Sequence, residues 1–355
     1  MEPFKAKKLP IEYNLDKELF VLLSEASKKY GEYKAKIADM EYEAGLFLNS
    51  LLLTESFKST QIEGTSVSQD DMFFARYERN NDDNREIINL KNAVEYGYDK
   101  LKSGGIIDYS LVNEMHKIIL DSVRGESRSP GKIRDIQNWI APKGVGIENA
   151  TFIPPAPEEI YGLLQNLYEY MNDAYVDPTL VNIAISHAQF ETIHAYRDGN
   201  GRIGRALIPL QAAGFDNTQP ILFLSEIFEL YRPSYQRYLM AYRYGSVTSY
   251  LCFFLQCVIE QCNSYIYKLH QVETIYKEDM EKISSFRGES IYKIMPVIMK
   301  LVVFTKKEVQ TESGVSVNVV SNNINRLFDI GILEKDTSVL KKGYKYRRIY
   351  DVFVT

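Results

Sequence analysis

The chain has 355 residues, of which 45% are hydrophobic and 25% are charged, and its formal net charge is -5 at pH 7. This length allows two or three cooperating units, because domains typically run to roughly 100 to 200 residues. No apolar run approaches the roughly 18 residues of a membrane span, and the first residues hold no apolar signal core, so we expect a cytoplasmic protein without a membrane partner.

The first hundred residues predict successive helices, since Leu, Ala, Glu and Lys are dense while Gly and Pro are few. The run Asn80 to Asn84, NNDDN, interrupts this pattern and predicts a loop. Helical periodicity resumes from Arg85 to Lys102. We therefore expect a helical N-terminal region in front of the segments that follow.

Between Ser127 and Pro157 the composition changes, because Gly, Pro and β-forming residues mix there. The segments 136–140 and 150–153 flank a Gly-containing stretch and predict a short β-hairpin. An irregular loop without strand pairing is the alternative. For Trp139, a functional position in this segment and a plain core position are equally compatible with the sequence.

A helix is predicted to begin at Asp177-Pro178, with Asp177 as the N-cap and Pro178 at the first helical position. Apolar residues follow at spacing i, i+3, i+4 and i+7, which gives this helix an apolar face as it runs into His194. A second helix is predicted from Arg202 to Ala213. The residues between them therefore form a tight loop joining two helices.

The loop from Asp198 to Arg202 has the composition of a phosphate cradle. Gly199 and Gly201 bracket Asn200 and let the backbone approach a ligand without an intervening Cβ. The loop leads into a helix N-terminus, whose unpaired N–H groups and positive dipole end attract anions. We therefore predict that this segment binds phosphate.

Side chains around this cradle suit nucleotidyl transfer. Asp198 offers an oxygen ligand for Mg²⁺, and Asn200 can donate to an α-phosphate oxygen. Arg202 and Arg205 lie three positions apart on the second helix and can grip the outer phosphates. His194, with an ordinary pKa near ~6.5, is largely neutral at cytoplasmic pH and can accept a proton from an attacking hydroxyl.

The segment His194-Ala-Tyr-Arg-Asp-Gly-Asn-Gly-Arg202-Ile-Gly-Arg205 closely resembles the signature loop of the Fic family. The resemblance implies a transferase that moves AMP from ATP to a protein hydroxyl. The implied roles are general base for His194, metal ligand for Asp198, α-phosphate contact for Asn200, backbone anion hole for Gly199 and Gly201, and β- and γ-phosphate contacts for Arg202 and Arg205.

Two positions depart from the family signature. Ala195 stands where Pro is frequent, and Tyr196 stands where Phe is usual. Tyr196 keeps the aromatic ring that anchors the loop, so we expect a working loop. Its hydroxyl group, however, needs a hydrogen-bond partner.

Upstream, Ser59-Thr-Gln-Ile-Glu63-Gly64 resembles the inhibitory motif of the same family. By that resemblance Glu63 pairs with Arg205 and occupies the space of the ATP γ-phosphate. A carboxylate beside a guanidinium in a largely dry site is strongly held, so it competes with phosphate for that group. A plain helix end with Gly64 as its C-cap is the alternative interpretation.

The segment from Gly131 to Pro155 resembles the flap that precedes Fic cores. By that resemblance a hairpin there aligns the target's chain through backbone strand addition. Three histidines lie outside these motifs. His187, seven residues before His194, is interpreted as a hydrogen-bonded helix-packing residue, and His116 and His270 carry no motif.

The chain from residue 286 onward is basic: twelve Lys plus Arg against seven Asp plus Glu give +5, which leaves -10 for the remainder. Residues 307–335 predict a helix, a Gly turn and a helix, and two strands follow around residues 341–348. This pattern resembles a winged helix, with Ser316 as N-cap of the recognition helix and a basic hairpin as the wing. Phosphate contact with DNA and packing against protein are both compatible with it.

We therefore expect a mainly α protein in three parts. Residues 1–95 form an N-terminal helical region with the inhibitory motif, residues 96–280 form a helical Fic core with a small β-hairpin flap, and residues 285–355 form a winged-helix domain. The resemblance implies ATP and Mg²⁺ as cofactors and a Ser, Thr or Tyr hydroxyl of a target protein as the acceptor.

Several options stay open at this point. Self-modification, a homodimer and DNA contact through the winged helix are all compatible with the sequence. The alternatives to AMP transfer are another nucleotidyl transfer on the same loop, such as UMP transfer, and removal of AMP from a target. A nonenzymatic DNA-binding regulator that responds to ATP is a further alternative.

Overall fold

The structure, a computed structural model, describes residues 2–40, 44–78, 81–123, 128–142, 144–286, 288–336, 340 and 342–354. This part of the chain is mainly helical, as predicted, and none of its helices is both long and apolar enough to cross a bilayer. The elements are α1 (Lys17–Ala38), α2 (Ala44–Ile62), α3 (Asp82–Lys102), α4 (Tyr109–Ile119), α5 (Ile160–Asn172), α6 (Thr179–Ile193), α7 (Asn200–Asp216), α8 (Ser225–Leu230), α9 (Arg232–Arg243), α10 (Val247–Ile283), α11 (Ser290–Leu301), β1 (Val303–Thr305), α12 (Lys306–Ser313), α13 (Val317–Asp329), β2 (Glu334–Asp336), β3 (Gly343–Lys345) and α14 (Arg347–Val354).

Helix α2 runs through the interior of the molecule and is buried on nearly all sides. It packs against α3, α8 and α11. The acidic residue Glu55 is also buried, and its carboxylate accepts hydrogen bonds from the N–H and the hydroxyl of Ser225 at the start of α8. Because α2 is enclosed in this way, packing fixes where its C-terminal end lies.

Helix α6 begins one residue later than predicted, and the predicted cap is wrong. Pro178 occupies the N-cap position, and no side chain caps the helix there. The carboxylate of Asp177 instead accepts hydrogen bonds from the hydroxyls of Tyr13 and Tyr170, at 2.7 and 2.6 Å. One phenol donor from the segment before α1 and one from α5 therefore take the carboxylate away from the adjacent backbone.

The loop predicted over residues 80–84 is also wrong in part, because α3 begins at Asp82. Asn81 is the N-cap, and its side-chain oxygen accepts a hydrogen bond from the N–H of Asp83 at 2.9 Å. Asp82 and Asp83 lie in the first turn, where the positive end of the helix dipole favours carboxylates. Asn80 lies outside the described residues, and the proposed division between residues 95 and 96 falls inside α3.

The predicted flap hairpin is reduced to one antiparallel bridge between Ile140 and Phe152. The N–H of Ile140 donates to the carbonyl of Phe152, and the N–H of Thr151 donates back to Ile140, both at 2.8 Å. Ile147–Asn149 form a turn of 3-10 helix between the two arms. The irregular alternative therefore describes most of this segment.

Side chains replace the ladder that a longer hairpin would need. The guanidinium of Arg134 donates to the carbonyls of Ile136 and Pro155, and the amide of Gln137 donates to the carbonyl of Pro154. Proline has no N–H to offer to a facing strand. The flap carbonyls are thus satisfied by side chains rather than by strand pairing.

The C-terminal unit, residues 290–354, contains the predicted helix, glycine turn and helix. Helix α12 starts with a capping box formed by Thr305 and Glu308, and Gly314, at φ +67°, ends it. Ser316 is the N-cap residue of α13, but its side chain makes no capping hydrogen bond. The strands form an antiparallel sheet in the order β1-β3-β2.

The basic hairpin predicted around residues 341–348 is shorter than expected. Strand β3 ends at Lys345, and Arg347 and Arg348 lie in the first turn of α14. The guanidinium of Arg348 pairs with Asp279 at 3.0 Å and with Glu278, both on α10. An ion pair with the long core helix thus removes this arginine from the predicted wing, and Lys341 lies outside the described residues.

The C-terminal unit is docked on the helical body. The ring of Phe353 lies 5.8 Å from that of Phe47 on α2 and 6.3 Å from that of Phe73. The hydroxyl of Tyr77 donates to the Glu308 carboxylate, at 2.7 Å from the nearer oxygen. The core of the body therefore continues into this unit.

We predict that Phe353→Ala lowers the free energy of unfolding by about 3 kcal/mol, because it empties a packed aromatic site. Phe353 is buried, whereas Phe328 on α13 is exposed, so Phe328→Ala is the matched control. Denaturant titration of both variants measures the effect. Equal, small changes in the two variants would contradict the docking.

Candidate active site

The site is built on the loop between α6 and α7. His194 ends α6 in the left-handed conformation, at φ +49°, and Gly199 adopts φ +77° immediately before α7. Helix α7 begins at Asn200, two residues earlier than predicted. Its first N–H groups lack intrahelical partners, as in any helix, so this N-terminus is a ready anion site.

Asn200 closes the loop from inside. Its side-chain oxygen accepts a hydrogen bond from the N–H of Tyr196, and its amide N–H donates to the carbonyl of Tyr196, both at 2.8 Å. The amide nitrogen also lies 3.2 Å from Nδ1 of His194. The side chain predicted to contact an α-phosphate is therefore engaged within the loop.

His194 is held by residues of the flap as well as by the loop. Asn138 places its amide nitrogen 3.0 Å from Nδ1 of His194, and the guanidinium of Arg134 donates to the His194 carbonyl at 3.0 Å. Burial, together with the cations of Arg243 and Arg134, lowers the pKa of His194 well below its ordinary value. The imidazole is therefore neutral near pH 7.

His116, on α4, is a site residue that no motif indicated. One ring nitrogen lies 2.9 Å from the Asp198 carbonyl and the other accepts the N–H of Gly131 at 2.7 Å. The ring stacks on Tyr196, with centroids 3.9 Å apart. No local sequence feature indicated this role, because the contact forms only where α4 packs against the loop. Burial lowers the pKa of His116 to about 4.

The hydroxyl of Tyr196, which the sequence left without a partner, donates to the side-chain oxygen of Asn113 at 2.7 Å. Asn113 also lies on α4, one turn before His116. Helix α4 thus holds the aromatic anchor of the loop by a stacked ring and by a hydrogen bond. The substitution of Tyr for Phe is accommodated by this polar contact.

Asp198, the predicted metal ligand, lies at the mouth of the α7 N-terminus. One carboxylate oxygen accepts the N–H of Gly199 at 2.8 Å. The other pairs with the guanidinium of Arg128 and lies 3.7 Å from that of Arg202. The carboxylate is thus fixed by the loop backbone and faces two cations.

The two arginines of the loop point to different partners. Arg202 lies 3.2 Å from the carboxylate of Glu86 on α3, and both side chains are largely buried. Burial raises the pKa of Glu86, although the Arg202 charge opposes that shift. Nε of Arg202 is buried and has no hydrogen-bond partner among the described residues, and Nη1 has only the ion pair with Glu86. These are N–H groups that a phosphate could satisfy.

Arg205 is buried and forms hydrogen bonds with the C-terminal end of α2. Its Nε donates to the Ser59 hydroxyl at 2.8 Å, and its Nη2 donates to the Ser59 carbonyl at 2.9 Å. The same Nη2 lies 2.6 Å from a carboxylate oxygen of Glu63. The structure thus contains the predicted Glu63–Arg205 ion pair.

Glu63 also lies directly against the start of α7. A Cβ built on Gly201 would be 2.3 Å from the same Glu63 oxygen. Gly64 follows at φ +95°, and its N–H donates to the Gln61 carbonyl at 2.9 Å, which ends α2. The C-terminal end of α2 therefore places the Glu63 carboxylate at the anion site of α7.

Comparison with known proteins agrees with this arrangement. The family model for the Fic/DOC family matches residues 106–212, and that for the Fic/DOC family N-terminal region matches residues 20–99. The chain belongs to the Fic/DOC family.

The Fic relatives are distant. "Protein adenylyltransferase Fic" of Aedes aegypti is 23% identical over 279 residues, which are 74% of this chain and 50% of that protein. A probable protein adenylyltransferase of Aquifex aeolicus is 34% identical over 62 residues, which are 18% of this chain and 19% of that protein. The chain spans about half the length of the mosquito relative it matches.

Solved structures show the same fold. A Fic family protein from Desulfovibrio desulfuricans aligns with a TM-score of 0.60 at 16% identity, over 94% of this chain and 97% of that one. Fic-1 from C. elegans aligns with a TM-score of 0.56 at 17% identity, over 71% of this chain and 73% of that one.

The flap of this Fic protein presents Trp139 at the surface, not in the core. The side chain is 42% exposed, and its indole N–H donates to the Val145 carbonyl at 2.9 Å. Ile136 is 55% exposed on the same segment. The flap therefore carries accessible apolar residues beside His194.

Behind the Fic loop, His187 is a packing histidine, as interpreted from the sequence. One ring nitrogen lies 3.1 Å from the Gly204 carbonyl, and the other lies 2.8 Å from the Tyr235 hydroxyl. Burial, reinforced by the charge of Arg205, lowers its pKa to about 3. The ring is therefore neutral in the folded protein near pH 7.

This neutral histidine makes stability depend on pH. The unfolded chain binds a proton at His187 below about pH 6.5, whereas the folded protein does not. The contribution of His187 to the free energy of unfolding is therefore fully present above pH 6.5 and is lost as pH falls toward 3. We predict that His187→Gln reduces the loss of unfolding free energy between pH 7 and 5 by about 2 kcal/mol. Denaturant titrations at both pH values measure this, with His270→Gln, at an exposed position, as control. Identical losses in wild type and His187→Gln would contradict it.

Proposed function

We propose that this chain transfers the AMP moiety of ATP to a hydroxyl group of a protein, and that Glu63 restrains the transfer. The observation that carries the proposal is the loop from His194 to Arg205, where a neutral imidazole, a helix N-terminus and two buried arginines lie together. Relatives named protein adenylyltransferase support the same activity.

The phosphates of ATP would lie against the start of α7. Gly199 and Gly201 leave the backbone N–H groups accessible there, since no Cβ lies between them and a ligand. Arg202 would use Nε, which has no hydrogen-bond partner among the described residues, and Arg205 would exchange Glu63 for a phosphate oxygen. Asn200 would turn its amide N–H from the loop to the α-phosphate.

Mg²⁺ fits the carboxylate of Asp198. Magnesium is usually held by one or two carboxylates together with phosphate oxygens, so a single acidic residue at the phosphate site suits it. One Asp198 oxygen is fixed by the Gly199 N–H, and the other faces Arg128. When bound, the ion would neutralise charge that develops on the phosphates.

His194 would accept the proton of the target hydroxyl while that oxygen attacks the α-phosphorus. The bond from the α-phosphorus to the bridging oxygen breaks, and pyrophosphate leaves. Arg134 holds the backbone of His194 for this step, and in the resting site Asn138 contacts the ring at Nδ1. Catalysis of this kind depends on positioning and charge stabilisation.

The acceptor would be a Ser, Thr or Tyr hydroxyl of a target chain laid along the flap. An extended target chain would add to the edge of the flap by displacing the side-chain donors that now satisfy the carbonyls of Ile136 and Asn138. Exposed Trp139 and Ile136 supply apolar contacts next to His194. The chain's own hydroxyls remain candidates for self-modification.

For the C-terminal unit we propose a winged helix that serves as a docked part of the body. The one cation of α13, Arg326, lies over the ring of Phe286 at 3.7 Å. Asn318, Asn322 and the apolar Val319 are exposed on the same helix. This surface suits protein better than DNA, and DNA contact stays a prediction for which a salt-sensitive gel shift is the assay.

We predict that Glu63→Gly raises transfer of label from ATP by about tenfold or more, because it removes a charge-assisted bond to Arg205 and clears the anion site. The measurement is the rate of protein labelling in a cell lysate containing Mg²⁺. Gln61→Gly, which adds a glycine at the same helix end, is the matched control and should behave like wild type. Unchanged labelling by Glu63→Gly would contradict the proposal that Glu63 restrains the transfer.

In the Glu63→Gly background, we predict that His194→Ala lowers the transfer rate by roughly 10² to 10⁴, the usual contribution of a general base. Binding of ATP should persist, since the phosphate contacts remain. His270→Ala, far from the motif in sequence, is the control. A rate that survives His194→Ala would exclude the imidazole as base.

A further inference from the structure

Two amide groups converge on one nitrogen of His194. The side-chain nitrogens of Asn138 and Asn200 lie 3.0 and 3.2 Å from Nδ1 of His194. Both amide orientations follow from their other contacts. The Asn200 oxygen already accepts the Tyr196 N–H, and the Asn138 nitrogen lies 3.1 Å from the Tyr196 carbonyl, which can only accept.

This geometry decides where the imidazole proton resides. Because two N–H groups point at Nδ1, that nitrogen must offer its lone pair, and a neutral imidazole then carries its single proton on Nε2. Nε2 itself has no hydrogen-bond partner in the part of the chain that the structure describes. In this arrangement the open nitrogen of His194 is already protonated and cannot act as a base.

We propose that Asn138 is a positioning residue that decides which ring nitrogen of His194 carries the proton. The inference rests on the proposed role of His194 as the base. Rotation of the Asn138 amide would present its oxygen to Nδ1 and favour the tautomer with the proton there. One proton then moves from Nε2 to Nδ1 through water, and Nε2 becomes free to accept the proton of the target hydroxyl.

The unsatisfied oxygen of Asn138 lowers the free-energy cost of such a rotation. This oxygen is buried, and within the described residues it has no hydrogen-bond partner. Rotation gives it a donor at Nδ1 and gives up the contacts of the Asn138 amide nitrogen with the Tyr196 and His194 carbonyls. In the resting site those carbonyls keep Asn200 and Arg134 as donors, so the present orientation is the favoured one and the rotated one costs only the difference of a few hydrogen bonds.

The position of Asn138 links the tautomer to the target. It lies on the flap between the exposed residues Ile136 and Trp139, where the target chain is proposed to dock. Withdrawal of Asn200 to the α-phosphate of ATP would remove the second donor from Nδ1. Both substrates would thus act on the same ring nitrogen.

The test is the tautomer of His194, read from ring 15N shifts of protein labelled with 15N-histidine. The chain has four histidines, which keeps the spectrum simple. Two of them are internal references: His116 accepts the Gly131 N–H at Nδ1, so its proton is on Nε2. His187 faces the Gly204 carbonyl with Nδ1, so its proton is on Nδ1. His194→Ala identifies the His194 signals.

We expect the wild-type His194 signals to match His116, and those of Asn138→Asp to match His187, because a carboxylate only accepts. The ratio of the two tautomers should change at least tenfold, about the effect of one hydrogen bond. Asn149→Asp, which adds the same charge at an exposed flap position, should match wild type.

Wild-type signals that match His187, or an Asn138→Asp spectrum identical to wild type in a folded protein, would overturn the proposal. Circular dichroism shows whether each variant is folded. The spectrum needs no turnover, so its outcome is independent of whether the chain transfers AMP. Loss of transfer in His194→Ala, by contrast, tests the role of the base and not the tautomer.

Discussion

The resting site depends on one buried charge, the guanidinium of Arg205. Its side chain is 2% exposed, and a charge so far from water is stable only with acceptors around it. Burial alone would lower its pKa, but Glu63, Tyr235 and Glu191 raise it, so the group stays charged. Ser59 and Glu63, at the end of α2, supply the acceptors. The place of α2 therefore sets the state of the anion site.

The place of α2 is in turn set by the whole body. Its buried surface contacts α8 through the Glu55 carboxylate and α14 through the rings of Phe47 and Phe353. The C-terminal unit and the site are thus joined by one helix. Glu63 differs from its partner in being 40% exposed, so water can replace it when a phosphate takes its position. Glu63 therefore binds Arg205 in the resting site and can still be displaced from it by a phosphate.

Contiguous features of this chain were predictable, and contacts between distant segments were not. The loop and its pairing with Glu63 follow from short motifs with fixed spacing. His116 and Asn113 meet the loop only because α4 packs against it, and nothing local in their sequence signals that contact. Asn138 lies in a segment whose sequence predicted a hairpin. In the structure, side chains such as those of Arg134 and Gln137 donate to the carbonyls of this segment in place of a facing strand. Asp177 does not cap α6 because its carboxylate binds the hydroxyls of Tyr13, in the N-terminal segment, and Tyr170, on α5.

The most direct test of AMP transfer is the origin of the transferred atoms. Glu63→Gly protein would be incubated with Mg²⁺ and a lysate, and with ATP labelled either at the α- or at the γ-phosphorus. Attack at the α-phosphorus predicts that proteins retain the α-label and that the γ-label leaves with pyrophosphate. Retention of the γ-label, or of neither label, would contradict the account.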